Sequence, residues 1–207
     1  LEKPSGPGDW NSACAGFSLS NPSEVDSVIN PFQKGAIKMK FFSANLETLR
    51  GLYRNQLRML LSTEDQIIDA LPTMIEKATD VQLKQAFQSH LQETRVHKTR
   101  LQEILNEELQ KAEPIKCKVL AALVTEAEDL IKDATDPSVR DVALIAAAQR
   151  VEHYEIASYG AVRRWAQILG EAEHASLLDK TIQEEGHADH LLTSIADRVN
   201  VDAEKAA

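Results

Sequence analysis

Apolar residues recur every three or four positions over most of this chain, and that spacing predicts helices. In the first run, 43–78, Leu46, Leu49, Tyr53, Gln56, Leu60, Glu64, Ile67, Leu71 and Met74 share one face. Pro72 lies inside the run and is expected to kink or weaken the helix. A second helix is predicted over 80–111, with Leu83, Phe87, His90, Glu93 or Thr94, His97, Leu101 and Ile104 on its face, and Pro114 closes that segment. Residues 117–134 read as a shorter amphipathic helix carrying Val119, Leu120, Leu123, Leu130 and Ile131. Asp136-Pro137-Ser138 is a break and a helix-start signal, and a third long helix is expected over 138–169. Gly170 separates it from a fourth, 171–199, whose face holds Leu178, Ile182, Glu185, Asp189, Leu192, Ala196 and Val199. Nothing in this part of the chain reads as a strand.

The pattern is thus four long helices and one short one. Tight turns join the first two and the last two, and about 25 residues, including the short helix, connect the pairs. An up-down-up-down bundle needs no such connection. Two hairpins with a long crossover describe a ferritin-like four-helix bundle, so the expected fold is all-α. The first 38 residues are rich in Gly and Pro, lack a period, and lack the continuous apolar core of a secretion signal. They read as a loosely ordered arm or appended segment ahead of a bundle over 39–207, with Met39 as its natural start.

Composition narrows the function. The formal net charge of −9 argues against nucleic acid as the main partner. No apolar run approaches the roughly 20 residues that span a bilayer. Cys14 and Cys117 are too few for a disulfide framework, and a reduced compartment is the simpler reading. A single bundle of long antiparallel helices is expected to leave an apolar flank, which points to a homodimer.

The chemistry concentrates in Gln149–Gly160. On a helix, Val151, Glu155, Ser158 and Val162 form one stripe, and Gln149, Glu152, Ile156 and Tyr159 the adjacent one. Glu152 and Glu155 therefore sit side by side among apolar or small residues. Such a pair either faces water or holds a cation, because burying unpaired charge is too costly. The other helices favour the cation. With the first turn near Thr79, Glu64 lies 15 residues before it and Glu93 lies 14 after. With the second at Gly170, Glu155 lies 15 before and Glu185 lies 15 after. Each second helix offers a further ligand one turn on, His97 after Glu93 and Asp189 after Glu185, as in a weak internal duplication. Any one of these glutamates taken alone is an ordinary solvated helix residue. Acidic residues interrupting apolar stripes on four helices at one height are not ordinary. A pocket of carboxylates and imidazole suits iron or manganese better than a thiolate-seeking metal.

The segments STEDQIIDALP, HLQETRVHKTRLQEI and above all RDVALIAAAQRVEHYEIASYG resemble the YciE/YciF-type bacterial stress proteins of the ferritin-like di-iron carboxylate superfamily. The resemblance covers roughly 44–199, and the pair Glu152-x-x-Glu155 is also similar to rubrerythrin, a peroxide-reducing relative. It implies a cytoplasmic, stress-related protein with two iron ions, or manganese in their place, reacting with O2 or peroxide. It implies Glu152 as the residue bridging two metals, Glu155 as an end-on ligand and Glu64 as the terminal ligand of the first helix. The superfamily usually carries Glu-x-x-His on the second and fourth helices. Here the second offers Glu93-x-x-x-His97 and the fourth Glu185-x-x-x-Asp189, with Glu184 and His187 one register over and His190 also in reserve. Rubrerythrin's iron–sulfur domain is absent, because two distant cysteines cannot supply four thiolates. Two other functions stay open: ferrous iron oxidation and storage in a large shell, and a metal-free helical bundle acting through its surface.

Overall fold

The computed structural model describes residues 46–206, so the expectations for the arm over 1–38, for Met39 and for Cys14 lie outside the described residues. Five helices follow one another: α1 (Leu49–Lys77), α2 (Val81–Leu109), α3 (Lys118–Asp133), α4 (Pro137–Leu169) and α5 (Ala172–Ala206). No strand occurs among the described residues. Local chemistry sets the ends. Asp80 accepts from the backbone N–H groups of Gln82 and Leu83 to start α2, and Asp136 accepts from Ser138 and Val139 to start α4, with Pro137 in its first turn. Gly170 ends α4 with φ 82°, a left-handed cap that glycine adopts at low cost. Pro72 does not break α1, which runs on to Lys77. Its ring is exposed, while Leu71 and Met74 beside it are buried and hold the last turns against the bundle. α5 extends past the predicted end at Val199, because Ala203 continues its buried stripe.

α1 packs on α2 and α4 on α5; the hairpins meet through α1 against α4 and α2 against α5, and α3 lies over α4 and α1. The crossover is tied along α1. Ile115 N–H donates to the Arg58 carbonyl at 2.9 Å, and Cys117 N–H donates to Ser62 Oγ at 3.2 Å. At one end of the bundle the buried Asp141 carboxylate accepts from Thr79 N–H (2.8 Å), Thr79 O–H (2.6 Å) and Asp80 N–H (2.7 Å), which fixes the α1–α2 turn to the start of α4. At the other end Arg50 bridges Glu108 and Glu171, both at 2.6 Å.

The apolar core comes in two parts. Ile67, Leu71, Phe87, Leu144 and Leu192 belong to one, and Tyr53, Leu57, Leu101, Ile104 and Leu178 to the other. Glu64, His97, Glu152, Glu155 and Glu185 are buried at the sequence positions between them.

Candidate metal centre

Each long helix reaches this layer through a buried stripe that advances by alternating steps of three and four residues. On α1 the stripe is Leu57, Leu60, Glu64, Ile67 and Leu71; on α4 it is Ala148, Glu152, Glu155, Tyr159 and Val162. On α2 it is Phe87, His90, Thr94, His97 and Leu101; on α5 it is Leu178, Thr181, Glu185, Ala188 and Leu192. The layer therefore holds four carboxylates and two imidazoles. Glu64, Glu155 and Glu185 expose 0% of their surface, His97 1%, Glu152 3% and His90 7%.

The six side chains converge as two groups whose donor atoms lie within 4.8 Å of one another: Glu64, His97 and Glu185, and His90, Glu152, Glu155 and Glu185. Glu185 is the residue common to both. His97 Nδ1 lies 2.8 Å from Glu185 Oε1 and 4.0 Å from Glu64 Oε2. The shorter approach lacks hydrogen-bond geometry, and both atoms are left without a partner. The far nitrogen of the same ring, Nε2, meets Glu184 Oε2 at 2.9 Å, and Glu184 is gripped in turn by the Arg100 guanidinium. His90 Nε2 lies 3.4 Å from Glu152 Oε1. The Tyr159 hydroxyl donates a short hydrogen bond to Glu64 Oε1.

Burial and mutual repulsion dominate the electrostatics. Burial, reinforced by the Glu185 charge, pushes the Glu64 carboxyl up to about 8. The same two causes raise Glu152 and Glu155 well above the ordinary carboxylate range. Burial pulls His97 down, but the carboxylates of Glu185, Glu64 and Glu184 outweigh it and hold the imidazole at about 9. Tyr159 is raised by burial and the Glu64 charge, so it stays a donor. Among the described residues, nine buried side-chain polar atoms lack a hydrogen-bond partner; all but Arg163 Nε belong to these six residues. Buried polar atoms are normally paired, so eight orphans in one layer describe a cradle for cations.

Of the residues singled out from the sequence, Glu64, His97, Glu152, Glu155 and Glu185 are brought together. Glu93 and Asp189 belong to neither group. Glu93 precedes the buried Thr94, is half-exposed, and lies 3.8 Å from His90 Nδ1 at the margin. Asp189 follows the buried Ala188 and engages Gln149 (3.1 Å) and His153 (3.1 Å) on the flank facing α4. Both lie one residue, about 100° of helix, off the stripe. The reserves His187 and His190 are exposed, and Glu184 backs His97 from outside. The resemblance implies Glu152 as the bridge, whereas the residue shared by the two groups is Glu185. The sequence pattern puts His90 on the buried face of its helix but does not single it out as a ligand. Its signal is the stripe itself, since it lies two steps from His97 on the same alternation.

A third group, Glu108, Glu171 and His174, is of another kind. Arg50 and Arg54 already neutralise Glu108, and His174 is engaged by Tyr53 and Glu107, so this group is a latch. No described helix is long and apolar enough to cross a membrane.

Comparison with known proteins agrees with this architecture. The chain is 38% identical to Protein YciF of Escherichia coli (strain K12) over 165 residues, which is 79% of this chain and 99% of that protein. The crystal structure of the E. coli stress protein YciF superposes with a TM-score of 0.71 at 37% identity, covering 74% of this chain and 97% of that one. YcfI from Rhodopseudomonas palustris gives the same TM-score of 0.71 at 38% identity, covering 74% and 98%. A protein from Xanthomonas campestris pv. campestris, 20% identical with a TM-score of 0.62 over 77% and 98%, shares the fold. Residues 48–204 match the family described as Domain of unknown function (DUF892), and the chain belongs to that family, with the ferritin-like helical bundle of its YciF-type members.

Proposed function

We propose that the polar layer holds two divalent metal ions, iron or manganese, and that the protein serves a stress response by reacting with peroxide or O2. The observation that carries this reading is the set of eight unpartnered buried atoms on four carboxylates and two imidazoles. Charge decides the number of ions. Four carboxylates are balanced by two dications, whereas one would leave two buried negative charges uncompensated. Glu64, His97 and Glu185 would hold one ion, and His90, Glu152 and Glu155 the other, with Glu185 between them. Oxygen and imidazole donors without a thiolate suit iron and manganese. When bound, such a pair supplies two one-electron equivalents and an open position for a small oxidant.

The protein's own part is orientation and proton management. Glu184, anchored by Arg100, accepts the His97 Nε2 proton and so turns Nδ1 toward the ligand cluster. Loading this site displaces the second proton, which His97 keeps up to about 9 without a metal. Tyr159 fixes one Glu64 oxygen and leaves the other free. Apolar clusters flank the layer above and below. E. coli YciF is described as a stress protein, and that description supports the physiological half of the proposal.

Elemental analysis of protein purified without added metal tests the reading, with about two ions of iron or manganese per chain expected. Ferrous-loaded protein should consume added peroxide in step with iron oxidation. A chain that is folded and metal-free from its native host would return the function to a bundle acting through its surface. A large shell filling with many irons per chain would favour storage.

A further inference from the structure

A cavity of about 150 Å3 adjoins the polar layer. The sequence explains the space, because every helix contributes alanine to its wall: Ala70 from α1, Ala86 from α2, Ala127 from α3, Ala147 and Ala148 from α4, and Ala188 from α5. Larger apolar side chains, among them Ile67, Met74, Phe87 and Leu192, complete it. The wall also includes His90 and Glu152, both more than nine-tenths buried, and His90 Nδ1 and Glu152 Oε2 have no hydrogen-bond partner. The exposed His187 and Leu191 of α5 and Glu128 of α3 also line the space, so it opens to the surface.

Protein interiors keep few voids larger than a water molecule. A space of about 150 Å3 is large enough for a benzene-sized guest, and water held against its apolar walls lacks the two to four polar partners it needs. Here the buried polar partners, His90 and Glu152, stand on the wall shared with the metal centre, the exposed Asp69, Thr73, Ser89, Glu128 and His187 stand at the rim, and the apolar side chains between them offer none. Hydrogen peroxide would need no such walls. Four of the lining residues, Asp69, Glu93, Glu128 and Glu152, are acidic and none is Lys or Arg, so an anionic head would find no cation on the wall and the head must be neutral.

We infer that this cavity binds the carbon skeleton of a small neutral amphiphile, about six to eight carbons long, with its oxygen-bearing head against His90 and Glu152. Taken with the function proposed above, on which this step rests, the peroxide handled at the centre is an organic hydroperoxide. Its O–O bond breaks, the two oxygens leave as an alcohol and a water, two protons come from solvent, and two electrons come from the two divalent ions, one each.

The binding claim is tested on the full chain purified without added metal, with 13C-labelled alanine methyls, titrated with benzyl alcohol. Saturable shifts are expected at Ala70, Ala86, Ala147, Ala148 and Ala188, with a millimolar or tighter Kd, as for a ligand of this size. Benzoate, with the same ring and an anionic head, should bind at least about tenfold more weakly. Ala148→Leu and Ala127→Leu fill the space from α4 and from α3. Whichever of them keeps the helical circular dichroism should no longer show saturation. Shifts that stay linear in benzyl alcohol, or saturation unchanged in both filled variants, would overturn the site. In the iron-loaded chain tert-butyl hydroperoxide should be consumed faster than hydrogen peroxide at equal concentration, and the reverse order would overturn the substrate class. Failure of the metal reading looks different: benzyl alcohol would bind as expected to a chain that takes up no iron.

Discussion

Without metal, the centre should make the protein less stable as pH rises from 5 to 8. Glu64 has an ordinary carboxyl value of 4.5 when the chain is unfolded and about 8 when it is buried beside Glu185. Between those values the folded chain keeps a proton that the unfolded chain has lost. Stability then falls with rising pH, because the native state binds more protons. Integrated from pH 5 to pH 8, Glu64 alone lowers the unfolding free energy by about 3–4 kcal/mol. Glu152 and Glu155, raised by burial and by Glu185, act in the same direction. So does His97, held at about 9 against 6.5 when unfolded. The Glu64 and His97 shifts share one attraction, so they are not summed. Asp80 and Glu184 are lowered, by Arg198 and Arg100 respectively, and matter only below about pH 5. With a urea m-value near 2 kcal/mol/M, the midpoint of the metal-free chain should fall by about 1.5–2 M over this window. Metal loading should reverse the slope, because the ions bind the deprotonated ligands. Urea melts followed by circular dichroism at pH 5 and pH 8, with and without bound metal, read this directly. A metal-free midpoint that stays flat or rises would refute the assignment of the buried carboxyls.

Glu185→Ala should abolish the paired site and Glu152→Ala should leave at most one ion, while Glu93→Ala and Asp189→Ala should still bind two by elemental analysis. Glu184→Ala frees the far nitrogen of His97 and should weaken metal binding about 10–100-fold in a chelator competition, with Glu184→Gln losing less. Asp141→Ala removes three hydrogen bonds to a buried carboxylate at the α1–α2 turn and should cost about 2–4 kcal/mol, lowering Tm by about 10 °C in a calorimeter. Tyr159→Phe removes the donor to Glu64 and should cost the metal-free chain about 1–3 kcal/mol by urea melts.

The helices and their connectivity were legible because each rests on a signal with its own local cause. Gly170 adopts the left-handed cap, Asp136 and Pro137 start α4, and the long linker forces a crossover. The height of the site was legible for a similar reason, since residues equally far from a tight turn between antiparallel helices lie level. Azimuth is harder. A ladder of three- and four-residue steps leaves each next step open between two neighbours about 100° apart, and only the packed bundle closes it. From His90 the buried stripe steps by four to Thr94, which leaves Glu93 to the margin; from Glu185 it steps by three to Ala188, which leaves Asp189 on the flank. The same geometry accounts for His90. Distance from the turn near Thr79 sets Glu93 level with Glu64, but α2 presents two imidazoles seven residues apart on one stripe. With a histidine there in place of a glutamate, the buried carboxylates of the layer number four, equal to the charge of two divalent ions. A fifth buried carboxylate at that place would leave a negative charge with no cation to meet it, and burial would force it to hold a proton.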